Sequence, residues 1–476
     1  MFPPKKLINS RDCASPRPLY STPWPLLWQH RLVSSRFVPI HLVAMQRRSA
    51  PLAVYWLIKN VLDLDTLLKG ESAKTYFDGT HRAVSPETTW ERMRPLLPAM
   101  GITRLANVTG LDRIGIPVYM CCRPNSRSLA VSQGKGMDNR SAKVSALMES
   151  VETWHAECNQ CVARIESHSH LKNGAAVCDP DLLPQSKGGL FSRNRPIPWV
   201  LGADLLGNEP VWIPYELVHA NVTLPAVPGS GCFLPSTNGL ASGNNALEAI
   251  LHGLYEVIER DALALWELTT PNRWSARRLD CSTIDDPDCR QLLMRFERAG
   301  IAVMIWEISS DVRLPVFAAI ISDRESDSVL RPIAAAFGSG CHSERSIALS
   351  RALTEAAQSR LTSMTGSRDD LTRASYDSSQ SEAAFQFFRQ LASESGAAVD
   401  FTTAPTFAAL TLAEDLLHVL ECLKRISIER VVAVDLSNPG FPVSVVRVLV
   451  PGLEGPTASQ RYQPGLRVRS RASWKQ

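Results

Sequence analysis

A chain of 476 residues, 45% hydrophobic and 21% charged, is long enough to bury a large core and excludes a disordered or low-complexity protein. Its formal charge of +4 is unevenly placed: nine Lys/Arg against Asp12 make the first 60 residues +8, so 42 basic and 46 acidic side chains leave the rest at −4. A body of that sign offers nucleic acid no general basic surface, and the apolar run from Ala50 to Ile58 is far short of the roughly 20 residues that cross a bilayer.

Residues 1–70 read as a basic, disordered extension, dispensable enough for truncation at Asp78 to be tolerated. One large α/β domain with mixed helix and strand order is expected over residues 79–455, and residues 456–476 read as a flexible basic tail. Ser85 before Pro86 predicts a helix start, because serine caps the free N–H groups and proline fits the first helical position. Val118 to Cys122 and Leu129 to Val131 predict short strands. The Gln133-Gly134-Lys135-Gly136 stretch after them reads as a tight turn, as do Gly239 to Gly243 and Gly338 to Gly340, since none matches a Walker A loop or a dinucleotide fingerprint.

The spacing then predicts a helix over Ser141 to Gln160, whose apolar stripe is Val144, Leu147, Met148, Val151 and Trp154. Cys158 and Cys161 fall at its end as ordinary helix cysteines, and the eleven cysteines, without a framework of repeated spacings, suit a reducing cytoplasm. Ile197 to Leu206 and Val211 to Leu217 predict a strand pair turning at Gly207-Asn208. Further helices are expected over Ala246 to Leu268, with Asn244 as N-cap, Ser343 to Leu361 and Ala413 to Lys424. Ser363 to Ser381 reads as a mobile loop, and Val431 to Leu436 with Val443 to Val450 as a last strand pair.

The chemistry lies on the helices. Ser145, Glu149 and Glu152 share one stripe of the first, and Glu248, His252, Glu256 and Glu259 climb one face of the second. Carboxylates three or four apart repel, mildly in water and strongly when buried, so they ask for a cation; Mg²⁺ prefers oxygen ligands of this kind. Spacing alone is equally served by a solvated acidic face, and the Arg351/Glu355 pair by an ordinary surface ion pair. His252 suits an orienting role better than a metal ligand.

Four segments carry a resemblance: Ser-Ala-Leu-Met-Glu-Ser-Val-Glu from Ser145, Asn-Asn-Ala-Leu-Glu from Asn244, Glu-Val-Ile-Glu-Arg-Asp from Glu256, and Arg-Ala-Leu-Thr-Glu-Ala from Arg351. Together, and in this order, they resemble the ATP-binding signature of the YcaO family. The resemblance implies one YcaO-type domain with its ATP site between the acidic helices and the β-rich segments. It implies that Ser145, Glu149, Glu152, Asn244, Glu248, Glu256, Glu259, Arg260, Arg351 and Glu355 bind ATP and its Mg²⁺ ions, with Glu149, Glu152, Glu248, Glu256 and Glu259 on the metal. Arg82 and Thr88 are the positions available for the family's N-terminal nucleotide contacts. Thr153 departs from the pattern, since many relatives have Arg there. No side chain is assigned a covalent role: Cys158 and Cys161 have no placed base, and no serine sits in a GxSxG turn.

The activity so implied is ATP-dependent activation of a peptide backbone amide. Only Pro451, Pro456 and Pro464 follow residue 450, without the PxPxP ending of azoline-forming relatives. Thr109 to Pro117 and Arg123 to Gly136 are similar to the members that make thioamides with a TfuA-like partner. Two alternatives stay open, an azoline-forming cyclodehydratase and a non-catalytic scaffold for ribosomal protein methylthiolation. The expected partners are a peptide or protein substrate and a TfuA-like protein, with no nucleic acid and no membrane, in the cytoplasm, and with a homodimer left open.

Overall fold

The computed structural model describes residues 63–70, 74–158, 164–226, 229–270, 273–275, 278–325, 333–394 and 398–473. Residues 1–62 of the expected extension and Cys161 lie outside the described residues.

Three sheets organise the chain, and each ends on an edge strand that feeds a long helix. In the first, β1 (Arg104–Asn107), β2 (Val118–Cys122) and β3 (Val131–Lys135) pair antiparallel in that order, and β3 leads into helix α1 (Asn139–Glu157). The second has six antiparallel strands, built on β4 (Arg164–Ser167), β5 (Pro196–Asp204), β6 (Glu209–Pro214) and β7 (Leu240–Gly243), with β7 feeding α2 (Ala246–Thr269). The third is β8 (Ile301–Glu307), β9 (Val316–Asp323) and β10 (Ala336–Cys341), and β10 feeds α3 (Arg345–Thr365). Strands β11 (Val432–Asp435) and β12 (Ser444–Leu449) return late in the sequence to complete the second sheet in the order β4-β5-β11-β12-β7, with β6 on the other edge of β5. Each helix has its own apolar core: Leu147 and Val151 of α1 against Val200 and Val445, Leu254 and Ile258 of α2 against Trp306 and Val448, and Leu349 and Leu353 of α3 against Phe317 and Ile321.

Glycine explains how closely the helices approach the strands. A Cβ on Gly134 would fall 1.9 Å from the Ala146 backbone nitrogen in α1, and one on Gly338 2.3 Å from the Ala352 oxygen in α3; only a residue without a Cβ allows helix backbone to lie directly on strand backbone. The three glycine-rich stretches read as turns are therefore strands for most of their length, and the strand expected over Leu129 to Val131 begins at Val131 and runs on through the first of them to Lys135.

The expected helices form with small shifts of boundary. Pro214 ends β6 early, so Tyr215–Leu217 is a 3-10 turn instead of strand. Ser85 caps the helix Pro86–Met93, as its sequence implies. The segment read as a mobile loop carries the end of α3 and the helix Arg373–Ser379. The ends of the body also differ from expectation. Leu64–Lys69 is a helix whose Leu64, Leu67 and Leu68 pack on the core. Beyond Pro456 the chain folds back: Glu454 accepts from Tyr462 Oη at 2.7 Å and from the Gly465 and Val468 nitrogens at 2.8 and 2.9 Å, and Arg467, in the helix Leu466–Ser473, binds buried Asp261 at 2.8 Å. Among the described residues no helix is long and apolar enough to cross a membrane.

Candidate functional site

The three helices face one cavity of about 900 Å³, and all ten residues singled out in the sequence line it: Ser145, Glu149 and Glu152 from α1, Asn244, Glu248, Glu256, Glu259 and Arg260 from the start and body of α2, and Arg351 and Glu355 from α3. Glu259 is only 2% exposed and Glu152 and Glu248 are also buried, so these three do not belong to a solvated acidic face; Glu256 is half-buried and Glu149 exposed, both on the cavity wall.

The three strand–helix units close on one another in a ring. From α1, Glu152 accepts from both the backbone N–H and the hydroxyl of Ser242 in β7, at 2.9 and 2.7 Å. From α2, Glu259 accepts from Ser339 Oγ at 2.6 Å and the Cys341 nitrogen at 3.1 Å, both in β10. From α3, Glu355 binds Lys135 of β3 at 2.5 Å. Lys135, Ser242 and Ser339 hold matching places, one residue before Gly136, Gly243 and Gly340. Glu248 is fixed separately, by the Ala83 nitrogen at 3.0 Å and the Asn244 amide at 3.3 Å, with Arg82 at 3.7 Å.

Buried charge sets the electrostatics. Burial raises the Glu149 pKa, and the nearby Lys135 and Arg368 offset it only in part. Burial and then Glu149 push Glu152 well above the usual carboxylate range, against the Ser242 hydrogen bond. Burial pushes Glu256 up to about 7, against the pull of Arg260. Glu355 goes the other way: burial would raise it, but Lys135 and Arg260 outweigh burial and hold it low. Burial and then Arg351 and Arg82 keep His252 well below its ordinary value, as a neutral ring. Of the residues lining the cavity, eight are carboxylates and five are Lys or Arg, a formal charge of −3 that disfavours a bare polyanion. Gln133 Nε2, Asn238 Oδ1 and Arg351 Nε, all on cavity-lining residues, are buried without a hydrogen-bond partner, and buried polar atoms left this way ask for a ligand. Among the described residues no three His, Cys, Asp or Glu side chains form a metal cage by themselves.

Several expectations change at residue level. Asn245, not Asn244, caps α2, accepting from the Glu248 nitrogen at 2.9 Å. Asn244 is thus free to hold Glu248 and to accept from Thr89 Oγ1 at 2.9 Å. Arg82 and Thr89 line the cavity, whereas Thr88 serves the Ser85 cap. Glu355 is bound by Lys135, so the surface pair read for Arg351 and Glu355 does not describe it. Thr153 lines the cavity and receives a hydrogen bond at 3.2 Å from Arg123, which is buried against Glu157. Lys135 and Arg368 were missed. The signal for Lys135 was its place between two glycines, because strand neighbours face opposite sides; Arg368 sits in the segment read as a mobile loop and carries no such signal.

Carboxylates short of cations, guanidiniums on the same wall and unpartnered polar atoms define a site for a polyphosphate carried with divalent cations. The chain belongs to the YcaO family: the family's model, described as a YcaO cyclodehydratase that binds ATP and Mg²⁺, matches residues 133–454. The chain is 40% identical over 414 residues to a Rhizobium leguminosarum bv. trifolii protein described as lying in the tfuA 3′ region, covering 85% of this chain and 97% of that one. A Methanothermobacter thermautotrophicus protein is 36% identical over 385 residues, with 78% and 95% covered. The fold is that of YcaO from Methanopyrus kandleri bound with AMPPCP and Mg²⁺ (TM-score 0.63, 24% identity, 81% of this chain and 95% of that one). It is also that of a heterocyclase in complex with substrate and cofactor (TM-score 0.68, 20% identity), of which this chain covers 56%.

Proposed function

We propose that this protein binds ATP with Mg²⁺ in the three-helix cavity and uses it to activate the oxygen of a peptide backbone amide, making a thioamide together with a TfuA-like partner. The observation that carries the reading is the convergence of all ten signature residues on one cavity in which burial raises three of the carboxylates, Glu149, Glu152 and Glu256. Glu149, Glu152, Glu248, Glu256 and Glu259 would hold Mg²⁺, which would supply positive charge against the negative charge developing on the transferred group. Arg351 and Arg82 orient the phosphate chain. Arg260, half-buried on the cavity wall under the charges of Glu259, Glu355, Glu256 and Glu149, places a positive charge beside the group in transfer.

The chemistry balances with no covalent side chain. A sulfur nucleophile forms a bond to the amide carbon, the oxyanion so made takes the γ-phosphoryl group, and ADP leaves. The carbon–oxygen bond then breaks, oxygen departs as phosphate, and the sulfur proton passes to solvent. The protein supplies position and a dry, charged wall. The relative from the tfuA region supports the choice of sulfur; the heterocyclase fold supports ring closure by a neighbouring side chain as the second reading.

Calorimetric titration tests the site: Glu256→Gln with Glu259→Gln is expected to weaken MgATP binding by about 100-fold or more, and unchanged affinity with unchanged Mg²⁺ dependence would sink it. Mass spectrometry of a peptide co-expressed with this protein and its partner separates the chemistries. Oxygen-for-sulfur exchange is the expected result, and loss of one water would overturn sulfur in favour of azoline formation.

A further inference from the structure

The ring of contacts between the three units is closed unequally. At two joints a serine in the strand binds the second glutamate of the preceding helix: Ser242 with Glu152, and Ser339 with Glu259. At the third joint the strand residue is Lys135, and it binds the first glutamate of its helix, Glu355, one turn away from Gln358, which stands where the other helices have their second glutamate. A neutral clasp has been replaced by a charged one shifted along the helix.

The geometry of β3 explains why Lys135 reaches the cavity. Gly134 and Gly136 face α1 so closely that a Cβ on either would meet backbone, 1.9 Å from the Ala146 nitrogen and 2.7 Å from the Ala142 nitrogen. The residue between them must point the other way, and Lys135 lines the cavity. Its ammonium has three donors, and one contact, to Glu355, takes one of them. Both side chains keep access to the cavity, at 19% and 22% exposure, unlike the buried Arg123–Glu157 pair. The charge of Lys135 also acts on Glu149 from α1 and on His252 from α2, so it is felt by all three helices, beside Arg260 and Arg368.

We propose that Lys135 is a catalytic cation: it exchanges Glu355 for a tetrahedral phosphate oxyanion and carries the charge of the group in transfer, either as the γ-phosphoryl group of the nucleotide or as the departing phosphate. The proposal rests on the nucleotide reading above and adds to it a residue outside the signature. Lys135 is a compact ammonium on a flexible stem, able to follow the moving group.

The test compares MgADP, MgADP with fluoroaluminate as a mimic of the transferring phosphoryl group, and MgADP with inorganic phosphate, by titration calorimetry. Lys135→Met is expected to leave MgADP affinity within about two-fold while weakening the fluoroaluminate complex by about 30-fold or more, and Lys135→Arg to restore most of it. Against Glu355→Gln alone as the reference, adding Lys135→Met should produce the same selective loss of the fluoroaluminate complex, which shows that an unpaired Glu355 is not the cause; a loss that disappears in this background would overturn the proposal. Loss with inorganic phosphate but not with fluoroaluminate would assign Lys135 to the departing phosphate; the reverse would assign it to the transfer. Equal losses for MgADP and both complexes, or no loss in any, would overturn the proposal while leaving the nucleotide site standing. A wild-type protein that binds no MgADP would overturn both.

Discussion

At the level of single residues, burial gives Glu256 a distinct pH signature. Its pKa is pushed up to about 7 by burial, so without Mg²⁺ the native state keeps a proton that the unfolded chain has lost above its ordinary value. Its contribution therefore lowers stability as pH rises from roughly 4.5 to 7. The buried neutral rings of His252 and His342 work in the opposite direction, because the unfolded chain protonates them below about pH 6.5. The comparison of wild type with Glu256→Gln isolates the carboxylate. In EDTA, the melting temperature of wild type relative to Glu256→Gln is expected to fall between about pH 5 and pH 8, and Mg²⁺ with ATP should reverse the difference; parallel melting curves over that range would reject the assignment. What the sequence disclosed here was the stripe: carboxylates three and four apart on an apolar helix. Neither the choice of Asn245 over Asn244 as cap nor that of Thr89 over Thr88 was visible, because neighbouring residues of one type differ only in the direction the backbone gives them.

Among the elements, the helices were legible because each repeats its apolar residues at helical spacing over several turns. The strands that feed them were harder. Glycines placed so that a helix can lie against backbone look the same in sequence as glycines placed for a turn, and only the neighbouring helix tells them apart. This predicts a sharp contrast between glycines. Gly134→Ala would drive a methyl group into the Ala146 and Ser145 backbone and should cost about 3 kcal/mol. Gly174→Ala meets nothing within 4 Å and has no left-handed backbone to strain. Urea unfolding with unchanged m-value and a lower midpoint for Gly134→Ala alone is the expected result. Equal midpoints would mean that β3 and α1 have room to separate.

For the molecule as a whole, the start of the functional body lies earlier than composition suggests. Lys74, 2% exposed, binds Glu344 at 3.0 Å and Asp415 at 2.8 Å, and Asp415 is itself 1% exposed. The hairpin Thr75–Arg82 follows directly, and Asp78, Gly79, Thr80 and Arg82 form part of the cavity wall. Removing one partner of a buried ion pair typically costs about 3 to 5 kcal/mol. A chain beginning at Asp63 should therefore keep nucleotide affinity, whereas one beginning at Asp78 should lose both stability and binding. Full MgATP affinity in the shorter chain, measured by calorimetry, would show that the hairpin needs no anchor. The basic bias of the first 60 residues drew the eye to a boundary, but a single buried lysine leaves no trace in composition.

The ring of three strand–helix units also bears on how the protein reaches its native state. Glu149, Glu256 and Glu355 come together although each is about a hundred residues from the next, so the cavity gains nothing until two very long loops have closed, and chains dominated by such distant contacts fold slowly. Like carboxylates gathered there oppose the last closure. On the proposed function, nucleotide and metal would bind the finished ring and not its parts, and so would pull the equilibrium toward it by mass action. The ligand would then act in folding as a template as well as in turnover as a reagent.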